Sequence, residues 1–155
     1  MNTRPTPDRL RETLFDILAP RIANTAFADA YAGTGAVGIE ALSRGASRAI
    51  FIERSRAAVE VIRDNLAALD LTARAEVFTG KSITVLERIE ADIVFLDPPY
   101  DLARELDAAL AVLESRETAL VIAQHPSQLD LKPNYGRLAR YRVVKQGDNS
   151  LSFFS

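Results

Sequence analysis

Short apolar runs alternate with segments of helical periodicity along most of this chain. Residues 25–31 and 93–96 form runs that are too short for buried helices, and polar breakers flank them, which is typical of buried strands. Between such runs, apolar residues recur every three to four positions, as Val59, Ile62 and Leu66 do. This alternation predicts one parallel sheet that is covered by helices on both faces.

The individual elements follow from the same pattern. The predicted strands are residues 25–31, 48–52, 73–78, 93–96, 119–123, 140–145 and 150–154. The predicted helices are residues 6–19, 39–44, a long helix capped by Ser55, 82–89 and 101–113. We also expect a short helical turn in the loop that contains Pro126 and Pro133. The predicted fold class is α/β: a doubly wound, mostly parallel seven-stranded sheet with an antiparallel C-terminal hairpin, in a single domain over residues 1–155.

Composition narrows the class of protein further. The chain has 155 residues, of which 48% are hydrophobic and 26% charged, and these are ordinary values for a globular domain. It contains no cysteine and one histidine, which excludes disulfides and thiolate metal sites and argues against a histidine-based metal site. No apolar run approaches the length of a membrane span, the proline-rich start shows no signal peptide, and no heptad pattern is present. We therefore expect a cytoplasmic monomer without a metal.

A tetrapeptide of unusual chemistry follows the strand at residues 93–96. Asp97-Pro98-Pro99-Tyr100 combines an acid, two prolines and an aromatic ring. Proline lacks an N–H group, so Pro98 and Pro99 end the strand and offer only carbonyl acceptors. The segment is a stiff set of acceptors beside a flat ring, and it suits a flat ligand with N–H groups, such as the exocyclic amine of a nucleobase.

A glycine loop lies at the end of the first predicted strand. Gly33, Gly35 and Gly38 have the spacing G-x-G-x-x-G between a strand and a helix, and glycine there lets backbone N–H groups approach a ligand closely. Dinucleotide-binding enzymes have the same glycine motif. Asp29, however, puts a carboxylate inside the end of this strand, where it is poorly placed for a pyrophosphate. It is well placed for the cationic groups of S-adenosylmethionine.

A second acid stands at the tip of the second predicted strand. Glu53 can accept hydrogen bonds from both hydroxyls of a ribose, a role that occurs in sites for NAD and for S-adenosylmethionine alike. The first and fourth strands are expected to be neighbours at the switch in strand order, which would bring Asp97 beside the glycine loop. A nicotinamide site does not need the tetrapeptide, whereas an amine methyltransferase does. A dehydrogenase or a nucleotide-binding module without catalysis remains the alternative from another class.

Four segments together resemble the bacterial 16S ribosomal RNA guanine-N2 methyltransferases. Residues 29–46 are similar to the cofactor motif of that family, and residues 4–15 to its N-terminal helix motif. Asp97-Pro98-Pro99-Tyr100 matches its catalytic tetrapeptide, and residues 147–154 are similar to its C-terminal strand. The resemblance implies a Rossmann-like class I methyltransferase that uses S-adenosyl-L-methionine. It also implies ribosomal RNA of the small subunit, or of its assembly intermediate, as the partner.

The resemblance also implies roles for individual residues. The expected catalytic residues are Asp97, Pro98, Pro99 and Tyr100. The expected cofactor-binding residues are Asp29, Ala32, Gly33, Thr34, Gly35, Glu53, Lys81, Ser82 and Asp97. The backbone of Lys81 and Ser82 is included because the family often has an acid after the third strand that this chain lacks. The expected substrate-binding residues are Arg4 and Thr6, as the resemblance implies, and Arg140 and Arg142, which are candidates for backbone phosphates because they lie in a basic C-terminal hairpin. His125 is expected to be a loop residue or one that supports the site indirectly, not the general base.

One rival uses the same tetrapeptide. N6-adenine DNA methyltransferases also handle an exocyclic amine with Asp-Pro-Pro-Tyr. A length of 155 residues argues against that rival, because it leaves no room for a separate DNA-recognition domain.

Overall fold

A computed structural model describes residues 8–155, and the first seven residues, including Arg4 and Thr6, lie outside the described part. Eight strands form one sheet: β1 (Ala26–Asp29), β2 (Arg48–Glu53), β3 (Ala75–Thr79), β4 (Ile93–Leu96), β5 (Leu120–Pro126), β6 (Asn134–Tyr135), β7 (Leu138–Gln146) and β8 (Asn149–Phe154). Their order across the sheet is β3-β2-β1-β4-β5-β8-β7-β6. The first five strands are parallel and β7 and β8 are antiparallel, so the predicted fold class is confirmed.

The described part of the chain contains five α-helices, of which the first precedes the strands and the other four connect them. They are α1 (Asp8–Leu18), α2 (Ala36–Ser43), α3 (Arg56–Ala68), α4 (Ser82–Leu86) and α5 (Leu102–Glu114). Ser55 caps α3, as expected, because its side chain accepts a hydrogen bond from the backbone N–H of Ala58. Within residues 8–155, no helix has the length and apolar character that a membrane crossing requires.

The helices bury the two faces of the sheet. On one face, α1 packs Leu14 and Phe15 against Phe27 of β1, and α2 and α3 extend the same layer over β2. On the other face, Leu86 of α4 joins Leu106 and Leu110 of α5 in the cluster that covers β4 and β5. Strands β1 and β4 are buried along their whole length, which explains why β4 is an unbroken apolar run and β1 is apolar up to Asp29.

The predictions were wrong about the segment between β5 and β7. It contains no helical turn, and it supplies an eighth strand, β6, so the predicted count of seven strands was too low. The Tyr135 hydroxyl donates a hydrogen bond of 2.8 Å to Asp107 of α5, and its ring packs edge-on against Phe154. These contacts hold the segment against the sheet, where Asn134 and Tyr135 pair with β7.

The strand register brings three segments to one edge of the sheet. Asp29 is level with Phe51 of β2 and with Phe95 of β4. Glu53 and Asp97 each follow those partners by two residues, so they flank the glycine loop at the carboxyl ends of the strands. The predicted neighbourhood of β1 and β4 is confirmed. This edge, where the strand order reverses, is the usual ligand site of a doubly wound sheet.

Gly38 allows α2 to lie close to β2. A Cβ atom at position 38 would lie 2.4 Å from Cε2 of Phe51, a side chain that is completely buried. We expect Gly38→Ala to lower the free energy of unfolding by about 1–3 kcal/mol, because overpacking outweighs the better helix propensity of alanine. Chemical denaturation measures this effect. Gly80→Ala is the matched control, since its Cβ would find nothing closer than Val85 at 3.7 Å, and an equal loss in both variants would contradict the explanation.

Candidate functional site

A cavity of about 430 Å³ opens at the carboxyl ends of β1, β2 and β4. Its volume lies within the range of about 300–1,000 Å³ that is usual for small-molecule sites. The glycine loop, the start of α3 and the tetrapeptide form its walls. Its lining includes Asp29, Ala32, Gly33, Thr34, Glu53, Ser82, Asp97, Pro99 and Tyr100.

Asp29 forms the charged inner wall. Its side chain is 2% exposed, and its Oδ2 accepts a hydrogen bond of 3.0 Å from the backbone N–H of Gly38. Burial raises the pKa of Asp29 to about 7; the Gly38 hydrogen bond opposes this shift, and the nearby carboxylates of Asp97 and Glu53 add to it. A buried carboxylate with this pKa favours a cationic ligand, because positive charge beside it stabilises the ionised form.

The raised pKa of Asp29 has a consequence for stability. Below its ordinary pKa of 3.8 the carboxyl is protonated in the folded and unfolded states alike, and as the pH rises toward about 7 the unfolded state loses its proton first. Asp29 therefore costs stability as the pH rises through this window. We expect Asp29→Asn to have a higher free energy of unfolding than the parent at pH 8. The difference between variant and parent should be about 2–3 kcal/mol larger at pH 8 than at pH 5. Chemical denaturation at both pH values tests this, and a constant difference would contradict it.

Glu53 binds the glycine loop from the side of β2. Its Oε1 accepts a hydrogen bond of 2.8 Å from the backbone N–H of Gly33, and its Oε2 accepts one of 2.9 Å from Ser55. Both carboxylate oxygens therefore have fixed positions at the cavity wall, and each keeps further acceptor capacity. Beside Glu53 the lining is apolar, with Ile52 and Val61. This combination suits a nucleoside, with its ribose on the acid and its base on the apolar wall.

The tetrapeptide forms the opposite wall and the mouth. Asp97 is half-buried, Pro98 is buried, and Tyr100 is 42% exposed. The Arg54 guanidinium donates a hydrogen bond to the Tyr100 hydroxyl, and its Cζ lies 5.4 Å from the centre of that ring. Arg54 follows β2 and Tyr100 follows β4, so this contact spans the mouth of the cavity above the end of β1.

Most of the predicted site residues meet in this cavity, and a few do not. Gly35, Lys81 and Pro98 are adjacent to lining residues, but their own atoms are not part of the lining. Gly35 has a φ of 86° and begins α2, and Lys81 precedes α4. Arg4 and Thr6 lie outside the described residues, so their roles stay predictions.

The structure places Arg140 and Arg142 away from the cavity. Both lie on β7, three strands from β4, which corresponds to roughly 14 Å across the sheet. Arg140 is level with Phe154, near the amino end of β5, and it donates to the carbonyl of Leu131 at 3.2 Å. The Arg142 guanidinium lies 6.0 Å from the Phe153 ring. Neither contributes to the lining, and a role in binding RNA stays a prediction.

Some residues that line the cavity were not identified as candidates from the sequence. Tyr31 lines the cavity and donates a hydrogen bond of 2.7 Å to Oε2 of Glu105, a residue of α5. Arg54 and Arg11 also line it. The contacts between Tyr31 and Glu105 and between Arg54 and Tyr100 join residues 74 and 46 positions apart, so no local pattern indicates them.

His125 lies within β5, not in the loop after it. It is 3% exposed, and its ring nitrogens lie 2.8 Å from the Ser152 hydroxyl and 2.9 Å from the carbonyl of Pro126. Burial lowers the pKa of His125. The residue is part of the packing between β5 and β8 and does not line the cavity.

A second cavity of about 440 Å³ opens at the opposite, amino ends of the strands. Its charged residues are mixed in sign. The guanidinium of Arg48 is already bound to Glu76 and to the carbonyl of Glu90, and that of Arg116 to the carbonyl of Ile89. The cavity at the carboxyl edge, with its convergent acceptors, is therefore the candidate active site.

Several known proteins are similar to this chain over most or part of its length. The family described as "Conserved hypothetical protein 95" matches residues 1–155. The Bacillus subtilis protein YlbH is 30% identical over 99% of this chain and 88% of its own length. "Ribosomal RNA small subunit methyltransferase D" of Escherichia coli K12 is 44% identical over 63% of this chain and 50% of its own length. The solved structure of yhhF from Escherichia coli is 31% identical, covers 99% of this chain and 89% of its own, and has a TM-score of 0.87.

Proposed function

Because the chain belongs to the bacterial 16S ribosomal RNA methyltransferase family, we propose that it methylates the exocyclic N2 amine of a guanine in 16S ribosomal RNA, using S-adenosyl-L-methionine. The observation that carries this proposal is the convergence of Asp29, Glu53 and Asp97 on one cavity at the carboxyl edge of the sheet. The first two acids suit a cationic nucleoside, and the third belongs to a segment of acceptors that suits an amine.

The residues of the cavity fit the cofactor. Asp29 would hold its cationic methionine end, because burial leaves this carboxylate in need of positive charge. Glu53 would accept hydrogen bonds from the ribose, and Ile52 and Val61 would cover the adenine. The backbone of Gly33 and Thr34 would approach the ligand closely, since position 33 has a φ of 57° and carries no side chain. The bound cofactor supplies an electrophilic methyl group.

The tetrapeptide would prepare the amine. Guanine N2 is a poor nucleophile because its lone pair is delocalised into the ring. Asp97 and the carbonyl of Pro98 would each accept one N2–H, which favours a pyramidal nitrogen with its lone pair directed into the cavity. These fixed acceptors contribute by positioning and by their field. Tyr100 would stack on the extruded base, a contact worth about 1–3 kcal/mol.

Assays of labelled methyl transfer test the proposal. The substrates are small ribosomal subunits from a strain that lacks this protein, naked ribosomal RNA and duplex DNA. We expect transfer to ribosomal RNA, as particles or as free RNA, and N2-methylguanosine as the product in nucleoside mass spectrometry. Transfer to DNA with N6-methyladenine as the product would instead establish the rival function. Equilibrium binding of S-adenosylmethionine and of NAD separates a methyltransferase from a dehydrogenase.

A further inference from the structure

Glu105 is hydrogen-bonded to a residue of the candidate cavity, Tyr31, without belonging to any motif. It occupies the first turn of α5, which begins directly after the tetrapeptide and Asp101. Asp101 has a φ of 47°, and its carbonyl accepts the backbone N–H of Glu105 at 2.8 Å. The chain therefore turns sharply after Tyr100, and the first turn of α5 brings the Glu105 carboxylate to Tyr31, a residue of the cavity wall.

Tyr31 holds this carboxylate in place. Its hydroxyl donates to Oε2 of Glu105 at 2.7 Å, and burial together with this bond raises the pKa of Tyr31 well above its usual range. The hydroxyl stays protonated and remains a donor. This bond uses Oε2, and a carboxylate keeps further acceptor capacity on Oε1. One oxygen is thus fixed and the other is able to accept.

Guanine and adenine differ in the group that lies next to the exocyclic amine, and an acceptor oxygen can distinguish the two. Guanine presents its N2 amine next to an N1–H donor, whereas adenine presents its N6 amine next to an N1 lone pair. In the mechanism proposed above, Asp97 and Pro98 each accept one N2 proton, so N1–H is available to a further acceptor. Glu105 is not itself part of the cavity lining, but it is bonded to Tyr31, which lines the cavity together with Tyr100, and its charge acts on Arg54 at the mouth.

We propose that Glu105, positioned by Tyr31, accepts the N1–H of guanine and thereby selects guanine over bases that carry a lone pair at N1. This inference rests on the proposed guanine-N2 function. A carboxylate facing an N1 lone pair leaves two acceptors unpaired and repelling, and a site that hydrogen-bonds one donor rejects analogues that lack it. On this proposal, α5 selects guanine through Glu105, and the tetrapeptide prepares the amine for methyl transfer.

The test compares guanine with 2-aminopurine at the target nucleotide of ribosomal RNA, after mass spectrometry has located that nucleotide. 2-Aminopurine keeps the 2-amine but has a lone pair at N1. We expect the parent to prefer guanine in kcat/KM by about 100-fold, and Glu105→Ala and Glu105→Gln to reduce that ratio at least about tenfold. Tyr31→Phe should reduce it less, because the acceptor stays but loses its fixed position.

The chain offers matched controls on the same helix. Asp107 accepts a hydrogen bond of 2.8 Å from the Tyr135 hydroxyl, which is the same kind of contact at a site outside the cavity. Asp107→Asn and Tyr135→Phe should leave the ratio unchanged. If the Glu105 variants keep the ratio of the parent, whatever their rates, the assignment of Glu105 is overturned and guanine methylation stands. If the parent methylates no guanine, the proposed function falls and this inference with it.

Discussion

Replacing Asp97 by Ala is expected to lower methyl transfer to ribosomal RNA by at least about 10³-fold while changing the affinity for the cofactor by less than about threefold. The carboxylate follows β4 and faces the mouth of the cavity, opposite Glu53. Its removal takes away a fixed acceptor of an amine proton, but it leaves Asp29, Glu53 and the glycine loop intact. Single-turnover transfer measures the chemical step, and calorimetry measures the affinity.

Asp97→Asn is the graded control for this experiment. A carboxamide keeps one acceptor oxygen in the same place but lacks the charge, so an intermediate rate is expected. Near-normal turnover of the alanine variant would remove Asp97 from the mechanism. A parallel loss of cofactor affinity and of thermal stability would show that the side chain mainly maintains the fold.

Replacing Glu53 by Ala is expected to weaken binding of S-adenosylmethionine by about 100-fold or more. A hydrogen bond to a charged group contributes about 1.5–3 kcal/mol, and Glu53 would provide two to the ribose. The substitution also leaves the backbone N–H groups of Gly33 and Ser55 without their present acceptor, so the glycine loop loses part of its support. Calorimetric titration with S-adenosylmethionine measures the affinity, and it requires no RNA.

Two further variants separate the possible causes of that loss. Glu53→Gln keeps an oxygen for one of the two backbone N–H groups, and it should lose less affinity than Glu53→Ala. Glu60→Ala removes an exposed acid from α3, and it should bind like the parent. Affinity of the Glu53→Ala variant within about twofold of the parent would exclude Glu53 from the cofactor site.

The order and type of most elements could be predicted from the sequence, because local physics encodes them. Strand β4 is an unbroken apolar run that ends at prolines, and Ser55 caps α3 through a group three residues away. Gly35 adopts a positive φ that the loop before α2 requires. Where such a pattern is weak, prediction failed: β6 has two residues, and tertiary contacts of Tyr135 hold it in place.

In the candidate site, too, some residues could be predicted from the sequence and others could not. Asp29, the glycine loop, Glu53 and Asp97 follow successive strands, and the sequence by itself determined that they end at one edge, because parallel strands share their carboxyl side. Only the tertiary structure decided which more distant residues join them. Helix α5 brings Glu105 to Tyr31, and the turn after β4 brings Tyr100 to Arg54, while β7 carries Arg140 away. Such contacts depend on strand order and on how helices pack over the sheet, which short-range periodicity does not encode.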